Sequence, residues 1–225
     1  MNIKHHLDEA TLVSYAAGSM SQAMALVVAC HISMCPECRE RVQQSEAIGG
    51  MLLDSLEAAN ISDDALDQVL AALDDEETGF SASVFEPVVQ DRAESIDSDL
   101  PQPLAEVIGG SLEQVEWKRI VPGVSYCDLP FKTERGGVSR LLRIAPGKAM
   151  LPHSHDGNEL TLILRGSFSD EMGRFTAGDI ADLDNEIEHQ PLVDSDEDCI
   201  CLIATDAPLK FSTLLGKIVQ PITGF

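Results

Sequence analysis

Apolar residues recur at helical spacing through the first third of the chain. The clearest set stands at i, i+3, i+4 and i+7 and therefore shares one helix face: Leu66, Val69, Leu70 and Leu73. Short polar side chains and a first-turn proline mark helix starts, because they satisfy or replace N–H groups that have no partner there. We therefore predict four helices, which begin near Asp8, Ser21, Pro36 and Ser62.

The pattern changes after residue 100, where short apolar runs alternate with turns rich in Gly, Pro and Asp. The runs span residues 138–144, 160–164, 179–183 and 199–204. Many short strands at close spacing are typical of a sandwich or a small barrel. We predict β structure throughout this half. The fold class is then multidomain, α plus all-β, with a four-helix domain followed by a small β-barrel or jelly roll.

A third kind of sequence separates the two patterns. Residues 74–99 hold many acidic side chains against one arginine, Arg92, with Ser, Pro and Gly interspersed. Such a composition is typical of linkers, since it offers little apolar surface to bury. We predict a helical domain over residues 1–75, an acidic linker over 76–100 and a β domain over 101–225.

The charge of the chain limits the kinds of partner that it can bind. Thirty-eight acidic residues against fifteen basic ones give a formal charge of −23. Such a surface repels nucleic-acid phosphate and anionic lipid, so we predict neither direct nucleic-acid binding nor membrane association. A basic protein surface is the natural complement, although acidity also serves solubility alone.

The sequence from Met1 to His6 leads directly into polar residues, without a targeting signal, and the apolar run at 23–30 is too short to span a bilayer. We therefore expect a cytoplasmic protein. In that reducing compartment, the six cysteines favour metal ligands, redox groups or buried thiols over structural disulfides.

A histidine and two cysteines form the first candidate metal site. His31, Cys35 and Cys38 have the spacing H-x-x-x-C-x-x-C. Cysteines three apart on the first turn of a helix lie on one side, where a histidine ending the preceding helix reaches them. Zinc takes four such ligands in a tetrahedron, and a helix N-terminus favours the thiolate form. The fourth ligand is His5 or His6, between which spacing does not choose; buried or redox thiols are the alternative interpretation.

Three histidines and a glutamate form the second candidate site. His153 and His155 stand two apart, so they point to the same side of a strand, and Glu159 can return to them after a turn at residues 156–158. His189 is the remaining histidine of this half. Three imidazoles and one carboxylate suit zinc, iron, manganese or nickel, so we predict a metal site without choosing its metal.

The spacing around this second site resembles the first cupin motif, G-x5-H-x-H-x3-E-x6-G, which fits throughout from Gly147 to Gly166. The second cupin motif is kept in part, with Gly178 and His189 in register. Its proline, second glycine and asparagine are replaced by Asp184, Glu186 and Val193. The resemblance implies a cupin barrel that keeps its metal ligands but departs from the family in the shape of one loop.

The first site resembles the zinc-binding anti-sigma domains, and the stretches at residues 5–10 and 15–18 are similar to the ChrR type in particular. This resemblance implies a four-helix domain that grips an extracytoplasmic-function sigma factor and is supported by zinc. The implied zinc ligands are His6, His31, Cys35 and Cys38. It also implies a cupin domain that binds a second zinc and releases the sigma factor when it senses singlet oxygen or organic hydroperoxides. The implied ligands there are His153, His155, Glu159 and His189.

Two functions from different classes are consistent with these motifs. The first is an anti-sigma factor without catalytic residues. The alternative is a metal-dependent cupin dioxygenase or isomerase with an accessory helical domain, because an open metal position supports such chemistry. No arginine cluster that would orient a substrate accompanies the ligands, and an enzyme leaves the helical metal site unexplained. We therefore predict the regulator and no enzyme.

The remaining cysteines are predicted to be structural. Cys199 and Cys201 stand two apart on a predicted strand, as either an oxidant-sensitive pair or two buried thiols. We favour buried thiols, because bonding such a pair requires backbone distortion. Cys30 and Cys127 are predicted to lie in the core.

Overall fold

The computed structural model describes residues 2–74, 100–131, 133, 135–185 and 187–211. Residues 76–99 of the predicted linker and Glu186 of the partial motif lie outside these ranges. The predicted domain boundaries therefore stay predictions.

Five helices lie within the described residues, and the first four begin close to the predicted positions. They are α1 (Glu9–Ala16), α2 (Gln22–Met34), α3 (Pro36–Asp54), α4 (Ala65–Asp74) and α5 (Gln102–Ile108). The side chains of Asp8 and Ser21 cap α1 and α2 by accepting backbone N–H groups, and Pro36 occupies the first turn of α3. The four predicted helices are confirmed. No helix among the described residues is both long and apolar enough to cross a membrane.

Helix α5 corrects the prediction of β structure throughout the second half. Pro103 fits the first turn of α5, and Gly109, with a φ of 73°, ends it in the left-handed conformation that glycine adopts without strain. Leu104 and Ala105 are buried, and α5 packs against α2. The chain therefore returns to the helical domain before it enters the barrel.

Eleven strands form the barrel within the described residues. They are β1 (Lys118–Val121), β2 (Val124–Asp128), β3 (Ser139–Ile144), β4 (His153–His155), β5 (Glu159–Arg165), β6 (Ser167–Asp170), β7 (Gly173–Thr176), β8 (Ile180–Leu183), β9 (Leu192–Val193), β10 (Cys199–Thr205) and β11 (Leu209–Phe211). A six-stranded sheet has the order β1-β2-β3-β10-β5-β8, a second sheet pairs β11 with β4, and a third has the order β7-β6-β9. Every strand pair is antiparallel.

The large sheet separates two apolar clusters, because successive side chains of a strand point to opposite faces. On β10, Ile200 and Leu202 face the helices, whereas Cys201 and Ile203 face the barrel interior. The cluster on the helix side contains residues of α1, α2, α3 and α5 together with residues of β5 and β10. The helices and the barrel thus share one core.

Helix α2 is the centre of that shared core. It contacts α1, α3 and α5 as well as β5 and β10. Val27 and Val28 are fully buried, so the apolar run that begins at Met24 is covered by the chain itself. A helix buried on most sides needs apolar residues around most of its circumference, which explains why this run is broader than one stripe.

Candidate metal centres

The first candidate site gathers at the junction of α2, α3 and the N-terminal segment. One ligand atom from each of His6, His31, Cys35 and Cys38 lies within 4.8 Å of the others. His31 Nε2 is 3.3 Å from Cys38 Sγ, and His6 Nδ1 is 3.4 Å from Cys35 Sγ and 3.5 Å from Cys38 Sγ. Zinc bonds of about 2.3 Å to sulfur and about 2.0–2.1 Å to nitrogen give tetrahedral S···N edges of about 3.5 Å. The donor set therefore fits zinc in both chemistry and size.

The geometry favours His6 over His5 as the fourth ligand. The His5 ring stacks on Phe175 of β7, with the ring centroids 4.1 Å apart, and its Nδ1 lies 3.6 Å from the carboxylate of Asp179. His5 is therefore directed to the barrel, while its neighbour His6 faces the two cysteines.

Contacts behind the ligands set their direction. His31 Nδ1 donates to the carbonyl oxygen of Gly178 at 3.1 Å, which leaves the lone pair on Nε2, the atom facing Cys38. His6 Nε2 lies 3.4 Å from the carboxylate of Glu37. Each histidine thus has one nitrogen directed into the cluster and the other held from outside.

Burial dominates the electrostatics of this site. It lowers the pKa of His31 to about 4, against the opposing effect of the hydrogen bond to Gly178, so the ring is neutral near pH 7 as a ligand must be. Burial also raises the pKa of Cys38 to about 11. Without a metal the Cys38 thiol is therefore protonated near pH 7, and binding of a cation releases its proton. The prediction that the helix N-terminus favours the thiolate stays a prediction.

The second candidate site lies inside the barrel. Ligand atoms of His153, Glu159 and His189 lie within 4.8 Å of one another, and all three residues are buried. His153 and His189 form a backbone bridge, and their Nε2 atoms are 3.1 Å apart. Ligand bonds of about 2.1 Å at angles between 90° and tetrahedral place two nitrogens about 3.0–3.4 Å apart. The pair fits one shared ion. His155 lies on β4, but its side chain is outside the described part of the structure, so its role stays a prediction.

Two acceptors orient these histidines. His189 Nδ1 donates to Asp170 Oδ2 at 2.9 Å, and His153 Nδ1 donates to the carbonyl oxygen of Leu151 at 2.8 Å. In these tautomers the Nε2 atom of each ring carries the lone pair that a metal ligand offers. Burial opposes ionisation of Asp170, but hydrogen bonds from His189, Met172 and Gly173 outweigh it and lower its pKa. Sequence reasoning missed Asp170, because no spacing pattern separates it from the other acidic residues of the chain.

The cysteines outside the first site are mostly buried. Cys199 and Cys201 face the barrel interior and are nearly inaccessible, and both are free. A hydrogen bond with Cys199, reinforced by burial, raises the pKa of Cys201. These features agree with the interpretation of the pair as buried thiols. Cys30 is in the core, whereas Cys127 is only partly buried.

Comparison with known proteins agrees with both halves of this description. The family model described as the ChrR cupin-like domain matches residues 106–208. Over 221 residues the chain is 44% identical to the anti-sigma-E factor ChrR of Cereibacter sphaeroides. This alignment covers 98% of each of the two chains. The chain belongs to the ChrR family. The crystal structure of Rhodobacter sphaeroides SigE in complex with the anti-sigma ChrR also matches, with a TM-score of 0.75 and 40% identity. That match covers 91% of this chain and 100% of the other. The ChrR-type resemblance and the fold class, a helical region followed by a cupin-like domain, are confirmed.

Proposed function

We propose that this chain is an anti-sigma factor. Its helical domain sequesters an extracytoplasmic-function sigma factor, and its cupin domain senses oxidative stress, as singlet oxygen or organic hydroperoxide, and promotes release. The chain acts in the cytoplasm through this protein partner and without direct nucleic-acid binding.

The observation that carries the proposal is an exposed apolar surface on α3, α4 and the segment between them, here called the docking face. Its members are half or more exposed: Ile48, Met51, Leu52, Leu53, Leu56, Ile61, Leu66, Val69, Leu70 and Leu73. Exposed apolar side chains at this density along the chain indicate an interaction site, because a soluble monomer normally covers most of such surface. The face begins on α3, the helix that Cys35 caps and whose first turn carries Cys38.

The charge of the chain and its relatives both indicate which protein binds the docking face. The related ChrR protein is seen in complex with SigE. A net charge of −23 favours a partner with basic surface and accelerates their encounter. The full-length relative is itself an anti-sigma factor, which supports a regulator over the cupin dioxygenase or isomerase.

We propose zinc as the metal of both centres. In the helical domain, His6, His31, Cys35 and Cys38 would hold it and thereby join the N-terminal segment to α2 and α3. In the cupin domain, His153, Glu159, His189 and the predicted ligand His155 would hold it. Bound zinc supplies a crosslink without redox chemistry of its own. The chain's own residues set the ring directions and exclude water through burial.

The shared core offers a route from sensor to docking face. Helix α2 contacts strands β5 and β10 of the barrel on one side and α3, which carries part of the docking face, on the other. A rearrangement at the cupin site can therefore reach α3 by direct contact. A signal carried by the acidic linker alone is not required.

The test is a binding assay between the purified zinc-loaded chain and an extracytoplasmic-function sigma factor from the same organism. Leu53→Glu places a charge on the docking face, where the side chain is 70% exposed, and is expected to weaken binding tenfold or more. The matched control, Val121→Glu, places the same charge on β1, at 44% exposure, and should bind as the wild type does. Equal binding by both variants would contradict the docking face. Substrate-dependent oxygen consumption without any sigma binding would instead support the enzyme.

A further inference from the structure

The turn between β7 and β8 reaches from the barrel into the helical metal centre. The carbonyl oxygen of Gly178 accepts a hydrogen bond from His31 Nδ1 at 3.1 Å. Asp179 Oδ1 accepts from the backbone N–H groups of Lys4 at 2.6 Å and His5 at 3.0 Å. The turn thus holds one candidate ligand directly and holds His6 through the two residues that precede it.

Asp179 is itself fixed. Its second oxygen, Oδ2, accepts from both the backbone N–H and the hydroxyl of Thr176, each at 2.9 Å. The side chain is fully buried. One carboxylate therefore receives two hydrogen bonds from Thr176, the last residue of β7, and two from the N-terminal segment, so the segment takes its position from β7. The positive φ of Gly178, 93°, belongs to the same turn, which directs the Gly178 carbonyl at His31.

We propose that Gly178 and Asp179 are positioning residues for the helical metal centre, so that the cupin barrel completes a site whose four ligands all come from the helical domain. The inference rests on the metal centre of the proposed function and is independent of sigma binding. Outer contacts of this kind fix the ring direction and tautomer of a metal-binding histidine, and their loss typically weakens metal affinity about 10–100-fold.

The hairpin that carries this turn also reaches the second centre. Asp170, at the end of β6, accepts from His189 and from the N–H groups of Met172 and Gly173, and Gly173 begins β7. Asp170, which contacts a candidate ligand of the cupin site, therefore precedes β7. Gly178, which contacts a candidate ligand of the helical site, follows it. If the hairpin couples the sites, each must affect the other's affinity by the same factor.

The experiment is a metal titration of the full-length chain with Co²⁺ and then with zinc against a chromophoric chelator. Thiolate-to-cobalt absorption reports the helical site selectively, because the cupin ligand set holds no cysteine. In Asp179→Asn, one carboxylate oxygen becomes an amide N–H₂ group, which faces backbone N–H donors and accepts from none of them. We expect this variant to weaken the metal affinity of the helical site about 10–100-fold. The matched control is Asp194→Asn, which alters another hydrogen-bonded carboxylate of the barrel and should leave this affinity unchanged.

A milder variant covers the case in which Asp179→Asn does not fold. Thr176→Val removes only the hydroxyl donor behind the carboxylate and should weaken affinity in the same direction by a smaller factor. Hydrogen exchange in the metal-free chain should show faster exchange at Lys4 and His5 in Asp179→Asn. Wild-type cobalt affinity in Asp179→Asn, or in Thr176→Val if only that variant folds, would overturn the proposal. If the wild-type chain binds metal but no sigma factor, the proposed function is contradicted. The cobalt affinity of Asp179→Asn then still tests the positioning role.

Discussion

Replacing Asp170 with asparagine tests whether its carboxylate orients His189 in the cupin centre. In the wild type, Oδ1 accepts from the N–H groups of Met172 at 2.9 Å and Gly173 at 3.2 Å, while Oδ2 accepts from His189 Nδ1 at 2.9 Å. An amide has one acceptor oxygen and one N–H₂ donor, so Asp170→Asn satisfies only one of the two sides. The side chain is fully buried, so water does not replace the missing acceptor.

Both orientations of the amide carry a cost. With its oxygen toward the backbone, its N–H₂ faces His189 Nδ1 and favours the tautomer that protonates Nε2. That atom lies 3.1 Å from His153 Nε2 and would no longer offer a lone pair. With its oxygen toward His189, two backbone N–H groups face a donor, which costs about 1–3 kcal/mol for a buried unsatisfied group. We expect metal affinity at the cupin site to fall about 10–100-fold, or about 1.4–2.7 kcal/mol.

Two measurements check this expectation. A chelator competition titration gives the affinity of the cupin site, and nitrogen NMR of the metal-free chain gives the tautomer of His189. Asp194→Asn serves as the control, because that carboxylate accepts from the same hairpin, through Ser169 and Arg174, but makes no hydrogen bond to His153 or His189. Wild-type affinity together with an unchanged tautomer in Asp170→Asn would refute the reasoning.

Three further changes test packing, backbone strain and pH dependence. Leu202→Ala, at a fully buried position, should lower the free energy of unfolding in urea by about 2–5 kcal/mol; a loss well under 1 kcal/mol would contradict the shared core. Gly166→Ala places a Cβ 2.8 Å from the Asp198 carbonyl oxygen at a φ of 72°, so Tm should fall, and an unchanged Tm counts against the turn geometry. Although burial opposes it, hydrogen bonds from two serines and Arg174 lower the pKa of Asp194 from 3.8 to about 2. A lowered pKa stabilises the fold above the unfolded value, so the deficit of Asp194→Asn should be full above pH 4 and vanish as pH falls through about 2; acid titration of unfolding that shows a constant deficit would disprove this.

The parts of the fold that sequence predicts are set by neighbours in the chain. Asp8 and Ser21 mark helix starts because a cap satisfies N–H groups two or three residues away. Pro36 marks one because its missing N–H would have no partner in the first turn. Helix α5 was not predicted because it is short, has Pro101 before its first residue and Pro103 within its first turn, and is followed by Gly109-Gly110. Its first-turn proline and glycine end were the available signals.

The ligand sets of both sites follow from spacing, but the groups that orient them do not. His31 and Gly178 are 147 residues apart, and Asp170 precedes His189 by 19. No pattern in the sequence distinguishes Asp170 or Asp179 from the many other acids of this chain. The packing of α2 against the barrel is equally invisible, since the run from Met24 fits an interior helix or a partner groove equally well.

Strand β10 lies between β3 and β5 in the middle of the large sheet, although it comes near the end of the chain. The sheet is therefore incomplete on the ribosome until residues 199–205 have emerged. The segment that ends at Cys38 emerges far earlier, by about 10–30 seconds at about 5–20 residues per second. During synthesis the four helical ligands therefore emerge before Gly178 and Asp179, the residues proposed to position them.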